Sequence, residues 1–194
     1  MKKFFSLIIA CLMFAATGWS QDGLPVAGNY SIGFNAPGLL NNPQTENVLI
    51  GTILKSDYLA YRGKLGFNMS LFSPGYSNGP STSSTNISLM GGLMKLRRAY
   101  KFLGYYGAEA GLGIGSSKSQ MGSGSETKSS NTSIIARGFV GAQCFILPQI
   151  SIGAEYGLGL MLMSEKKNNG LEKDSRISLG NDNSRGQITL SVYF

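Results

Sequence analysis

The amino-acid sequence predicts an all-β protein, an eight-stranded antiparallel up-and-down transmembrane β-barrel with short turns at one end and four long loops at the other. The first ground is the segment 186–194. Ile188, Leu190, Val192 and Phe194 share one face of a strand there, and Gln187, Thr189, Ser191 and Tyr193 share the other, because side chains alternate with period two. An aromatic at the end of the apolar face suits a last strand that pairs with the first and meets lipid. A C-terminal strand packed in a soluble sandwich is the alternative. The second ground is a secretory start, and the third is a composition rich in glycine and poor in charge.

The chain opens with the basic Met1-Lys2-Lys3, followed by a mostly apolar run over residues 4–16 and the small residues Gly18 and Ser20 before Gln21. This reads as a signal peptide over residues 1–20, too short and wrongly flanked for a membrane helix. Residues 21–194 form the barrel domain. Ile8-Ile9-Ala10-Cys11 has the pattern of a lipoprotein cleavage box, but it comes early and the apolar run continues through Leu12-Met13-Phe14. Cleavage before Gln21 removes Cys11 and leaves Cys144 without an intramolecular partner.

The 194 residues include 27 glycines and only 14% charged residues. The formal net charge is +7, and the two lysines of the signal account for two units of it. The basic residues are scattered, and export argues against a nucleic-acid partner. Outer-membrane lipid, with lipopolysaccharide phosphates as counter-charge, is the expected partner.

The strands follow in order. Residues 29–36 alternate through Tyr30, Ile32 and Phe34. A loop with Pro37, Gly38 and Pro43 leads to the second strand, 47–55, and 56–58 forms a tight turn. In the third strand, 59–71, Tyr61, Leu65, Phe67, Met69 and Leu71 oppose Arg62, Lys64, Gly66, Asn68 and Ser70. Residues 74–85 read as a loop, 86–97 as the fourth strand, and 98–101 as a turn. The fifth strand, 102–116, sets Tyr106, Ala108, Ala110, Leu112 and Ile114 against Tyr105, Gly107, Glu109, Gly111 and Gly113. A Ser/Gly/Lys loop over 117–131 precedes the sixth strand, 132–146, and a turn at 147–149. The seventh strand, 150–163, sets Ile152, Ala154, Tyr156 and Leu158 against Ser151, Gly153, Glu155 and Gly157. A charged loop over 165–184 leads to the eighth strand, 185–194.

Strand periodicity does not tell inside from outside, and a soluble lipocalin-like barrel has the same count. The charges discriminate. Arg62, Lys64, Lys95, Glu109, Arg137 and Glu155 lie within strands. A cation facing lipid near mid-bilayer costs roughly 2–4 kcal/mol, whereas in a lumen it can pair. These six are therefore expected to form a lumen charge cluster, with Gln143 beside them. The alternation around Lys95 and Arg137 is less regular, which allows a bulge or register shift. Tyr30, Tyr58, Tyr61, Tyr100, Tyr105, Tyr106, Tyr193 and Phe194 fall near strand ends, where interfacial girdles form. Glycine at alternate positions marks a lumen face kept thin.

The chain has no histidine, which removes Ser-His triads, histidine acid–base chemistry and most metal sites together. Lys64 with Ser70, or Lys95 with Ser88, offer Ser-Lys pairs on paper only. Glu109 and Glu155 are a candidate carboxylate pair, better read as structural partners of Arg and Lys. No enzyme activity, cofactor or metal is expected.

Residues 54–60 (Leu-Lys-Ser-Asp-Tyr-Leu-Ala), 139–146 (Phe-Val-Gly-Ala-Gln-Cys-Phe-Ile) and the closing Leu190-Ser191-Val192-Tyr193-Phe194 resemble the small outer-membrane β-barrel proteins of Bacteroidota-type bacteria, related in architecture to OmpA-type and OmpX-type barrels. The resemblance spans the mature chain. It implies an outer-membrane location and no single activity. It also implies that Phe194, with Ile188, Leu190 and Val192, is the signal read by the outer-membrane assembly machinery.

An eight-stranded barrel is only wide enough inside for side chains. The leading expectation is a non-enzymatic protein serving envelope integrity, adhesion or a larger complex of outer-membrane proteins. A narrow solute pore and a soluble barrel holding an apolar ligand are the alternatives.

Overall fold

The computed structural model describes residues 24–35, 47–72, 81–121, 125–167, 172–179 and 185–194. The expected signal peptide and the loop expected after the first strand lie outside them. The strands are β1 (Tyr30–Asn35), β2 (Asn47–Ser56), β3 (Leu59–Phe72), β4 (Ser81–Ala99), β5 (Phe102–Met121), β6 (Ser125–Leu147), β7 (Ile150–Lys167), β8 (Glu172–Leu179) and β9 (Arg185–Tyr193).

All pairings are antiparallel, and the sheet closes into a ring. Strands β1 to β7 pair in sequence, β7 pairs with β9, and β9 returns to β1. The seam sets Ser31 opposite Tyr193 and Asn35 opposite Thr189. Closure through β1 to β7 and β9 leaves no open edge in the ring, which a strand in a hydrocarbon phase requires; among the described residues β8 pairs with β7 alone.

Among the described residues there are nine strands, where eight were expected. The difference lies in 165–184, expected to be a loop. Instead β7 runs on to Lys167, and β8 pairs with its upper half from Leu160 to Lys167. Strand β9 pairs with the lower half, Ile150 to Gly157. Two successive strands thus line the same side of β7. Of the expected loop over 117–131, residues 117–121 and 125–131 are likewise strand. β5 and β6 continue as a ladder to Met121 opposite Ser125, and β4 begins at Ser81. Their polar ends have no hydrophobic alternation because water can reach both faces, whereas Ile177 and Leu179 of β8 keep the outward apolar parity. Backbone pairing holds them, joined by side-chain contacts such as Ser117 Oγ to Ser129 Oγ at 2.8 Å.

The strand connections at the other end are tight. Tyr100, between Ala99 and Phe102, adopts a φ of 53°, a strained value for a bulky residue. Register shifts at Leu54/Ser56 and Phe145/Leu147 accommodate the other two tight connections.

Side chains divide by parity. Outward positions carry Ile32, Phe34, Ile53, Leu65, Phe67, Met69, Leu89, Leu112, Ile134, Val140, Leu158 and Leu160, all exposed. Inward positions carry most of the buried polar residues, including Ser31, Thr52, Ser133, Gln143, Ser151, Gln187, Thr189 and Ser191. A soluble protein shows the reverse arrangement.

Candidate functional site

The interior of the ring is filled in layers. At the tight-turn end, Leu54, Ala60, Met94, Leu96, Leu103, Tyr105, Phe139, Phe145 and Tyr193 form an apolar cluster. The Phe145 and Tyr193 rings are tilted at 5.2 Å, and Tyr105 and Phe139 at 6.2 Å. The Tyr193 hydroxyl donates to Gln143 Oε1 at 2.6 Å, which satisfies its polar end. Tyr105 and Tyr193, expected in an interfacial girdle, therefore point inward. Tyr30, Tyr58, Tyr61, Tyr100 and Tyr106 remain exposed.

Above this cluster lies a buried ion network. Strand β3 carries Arg62 and Lys64 two residues apart, hence on the same face. Arg62 Nη1 donates to Glu155 Oε2 at 2.5 Å. Lys64 Nζ donates to Glu109 Oε1 at 2.9 Å and to Glu155 Oε1 at 3.1 Å. From β6, Arg137 Nη2 donates to Glu155 Oε1 at 3.0 Å, and its Nη1 lies 3.7 Å from Glu109 Oε1. From β9, Gln187 Nε2 reaches Glu155 Oε1 at 3.0 Å. Glu155 is thus the hub, 3% exposed, and ties β3, β6 and β9 to its own strand. The Arg62 guanidinium also lies over the Phe139 ring, 4.6 Å from its centroid, so the ion layer rests on the aromatic layer through a cation–π contact.

The structure brings five of the six candidate cluster residues together. Lys95 is the exception. It pairs with Leu59 and Tyr106 and lies on the exposed outer face, on the same parity as Leu89 and Leu93. Its place one layer from the tight turn lets its ammonium reach water along the strand, so no lumen partner is needed. Arg137 requires no bulge. Its inward companions Ile135 and Phe139 simply belong to the apolar part of the filling.

The segment with the apolar face behaves less uniformly. Leu190 is exposed and Ile188 half-buried, but Val192 is buried, in register between Ile32 and Ile150. The Phe194 ring stacks on Tyr30 at 5.2 Å.

Glycine makes the filling possible. A Cβ on Gly141 would lie 2.6 Å from the Tyr105 ring, and one on Gly107 would lie 2.8 Å from Phe139 Cζ and strike the Leu93 carbonyl. At Gly157 it would strike the Arg137 guanidinium. We expect Gly107→Ala to lower stability by about 1–3 kcal/mol through overpacking. Gly138→Ala, on the outer face with its nearest atom 3.9 Å away, should be near neutral. Equal urea midpoints for the two variants would contradict this packing.

The aromatic filling was the part of the interior that sequence reasoning missed. Its signal is parity: Tyr105 shares a face with Glu109. Among the described residues no group of three or more His, Cys, Asp or Glu side chains is arranged to hold a metal. The network pairs its charges with one another, and this serves cohesion.

No protein-family model matches the chain, and no curated protein is similar to it. Solved structures do match. A major outer membrane protein from Thermus thermophilus aligns with a TM-score of 0.54 and 13% identity, over 86% of this chain and 98% of that one. Ail, the attachment invasion locus protein of Yersinia pestis, aligns with a TM-score of 0.51 and 14% identity, over 87% and 99%. The fold is that of outer-membrane β-barrel proteins. At these identities the likeness is one of fold.

Proposed function

We propose that the protein is a non-enzymatic integral outer-membrane β-barrel whose body is a closed wall and whose interactions are made by the strands and loops that project beyond it. The observation that carries this reading is the inverted distribution of side chains, apolar outside and ion-paired within. On β3 the outward residues from Tyr61 to Leu71 are apolar apart from Gly63. Ten residue steps at about 3.3 Å, tilted by about 40°, span about 25 Å, the height of an outer-membrane apolar band. The exposed tyrosines mark one border of this belt, where aromatic rings suit the interface. The turns at 56–58 and 147–149 then face the periplasm, and the long hairpins face outside. Export through a signal peptide over residues 1–20 belongs to the same reading.

The role proposed is structural or adhesive, in envelope integrity, surface attachment or a larger outer-membrane assembly. The likeness to a protein that takes its name from attachment and invasion is in keeping with it. The stacked layers at Tyr105, Phe139, Phe145 and Tyr193 favour a plugged interior over a pore.

The protein refolded into detergent should migrate differently when heated, and in planar bilayers it should give no steady conductance. Stable single-channel steps would replace the structural role with a pore. An epitope inserted after Ser123 should be labelled on intact cells. Labelling of folded protein only after lysis would reverse the topology.

A further inference from the structure

Beyond the last outward apolar positions, Ile114 on β5, Ile134 on β6, Leu162 on β7 and Ile177 on β8, the sheet continues as polar ladder. The next outward residues are hydroxylic: Ser116, Thr132, Ser130, Ser164 and Ser175. Then come lysines. Lys118 stands directly opposite Lys128, and Lys166 directly opposite Lys173, all four exposed and on the outward parity. Lys166 also faces Ser130, two residues from Lys128, so the two pairs form one row across four strands.

Like charges directly opposite each other destabilise a sheet. Among the described residues only Lys128 of the four has a carboxylate partner, Glu126 at 3.3 Å. Glu126 shares the outward parity of Lys128, but the acids opposite each other on β7 and β8 are placed on the other parity. Glu165 and Asp174 sit opposite each other on the inward face, where Lys167 reaches Asp174 Oδ2 at 2.9 Å. Exchanging faces would have neutralised both rows. The outward row therefore presents net positive charge just beyond the apolar belt.

We propose that this lysine row, with the hydroxyl layer beneath it, docks on the phosphate groups of the outer-leaflet lipid. The inference rests on the membrane reading above. From Ile114 to Lys118 is four residue steps, about 13 Å along the strand and about 10 Å along the membrane normal at a tilt of about 40°. The headgroup layer begins where the apolar belt ends and is roughly 5–8 Å deep. A lysine stem lies back along the strand and sets its ammonium within that layer. Four positions a strand apart match a plane of lipid phosphates better than one small anion. Charge attraction also locks the hairpins upright against the bilayer surface.

The test reconstitutes full-length protein in phosphatidylcholine vesicles with and without lipopolysaccharide. It compares the wild type with two quadruple variants, Lys118, Lys128, Lys166 and Lys173 all →Gln, or all →Arg. The lipopolysaccharide that stays bound after detergent extraction and washing is then measured. All three proteins should insert and be heat-modifiable in phosphatidylcholine. The wild type and the Arg variant should retain lipopolysaccharide in a salt-sensitive manner, and the Gln variant should lose at least about tenfold. Equal retention by the Gln variant would overturn the docking surface while leaving the barrel intact. Failure of the wild type to insert in either vesicle would instead overturn the membrane reading, and is read from the gel alone.

Discussion

Glu155→Ala should cause the largest loss of stability of any single side-chain truncation inside the barrel. The variant removes the acceptor of Arg62, Lys64, Arg137 and Gln187 at once. The interior cluster holds three cations and two carboxylates. With Glu109 alone remaining, two of the three cations are uncompensated. Breaking a buried pair by removing one partner costs about 3–5 kcal/mol, less any relief from water that enters the space left behind. Glu155→Gln keeps a hydrogen-bonding carbonyl and should fall between. Glu109→Ala should cost less than Glu155→Ala, since Glu109 has one close partner, Lys64, and Arg137 only at 3.7 Å. The reference is Glu126→Ala, which loses an exposed pair with Lys128 of a kind that contributes about 0–1 kcal/mol. Urea unfolding of the refolded protein, followed by the heat-modifiable band, gives the comparison. Equal midpoints for Glu155→Ala and Glu126→Ala would mean that the network is not cohesive.

Deleting Phe194 should lower the folded protein in the outer membrane several-fold without changing synthesis or export. The residue completes the seam between β1 and β9. Its backbone N–H donates to Tyr30 O at 2.9 Å, and its carbonyl accepts from Tyr30 N–H at 3.2 Å. That carbonyl also accepts from Asn29 Nδ2 at 2.7 Å, and the ring stacks on Tyr30. At about 0.5–1.5 kcal/mol net for each hydrogen bond, the two backbone bonds and the Asn29 bond together contribute about 1.5–4.5 kcal/mol, concentrated on a seam whose first strand has six residues. Phe194→Ala retains the backbone bonds and should be milder in purified protein. If it matches the deletion in cells while unfolding like the wild type in vitro, the ring acts as the signal for the assembly machinery. Unchanged levels of heat-modifiable protein in the deletion strain would remove both roles.

Much of this organisation is legible in the residues because a strand has a period of two. Arg62 and Lys64 alternate with Tyr61 and Leu65, and Glu109 and Glu155 alternate with Ala110 and Tyr156. Wherever one face must be apolar, parity assigns the charges to the other. Parity is silent where neither face meets lipid. The ladders from Ser116 to Gln120 and from Glu126 to Ser130 are polar on both sides, so nothing in their composition separates strand from loop. The same holds for β8, whose Lys173 to Ser175 have polar residues at every position. Three features were decided only by closure of the ring. Lys95 is admitted to the outer face because it sits at the tight-turn border, where its ammonium reaches water. Phe139 and Tyr105 enter the interior because the barrel needs an apolar floor beneath its ions. Glu155, rather than Glu109, becomes the hub because β7 brings it against Arg62 and Lys64 from across the ring and Gln187 from β9. A strand's own sequence specifies which side chains share a face. Which of them meet depends on how the walls curve toward one another, and that is a property of the closed sheet.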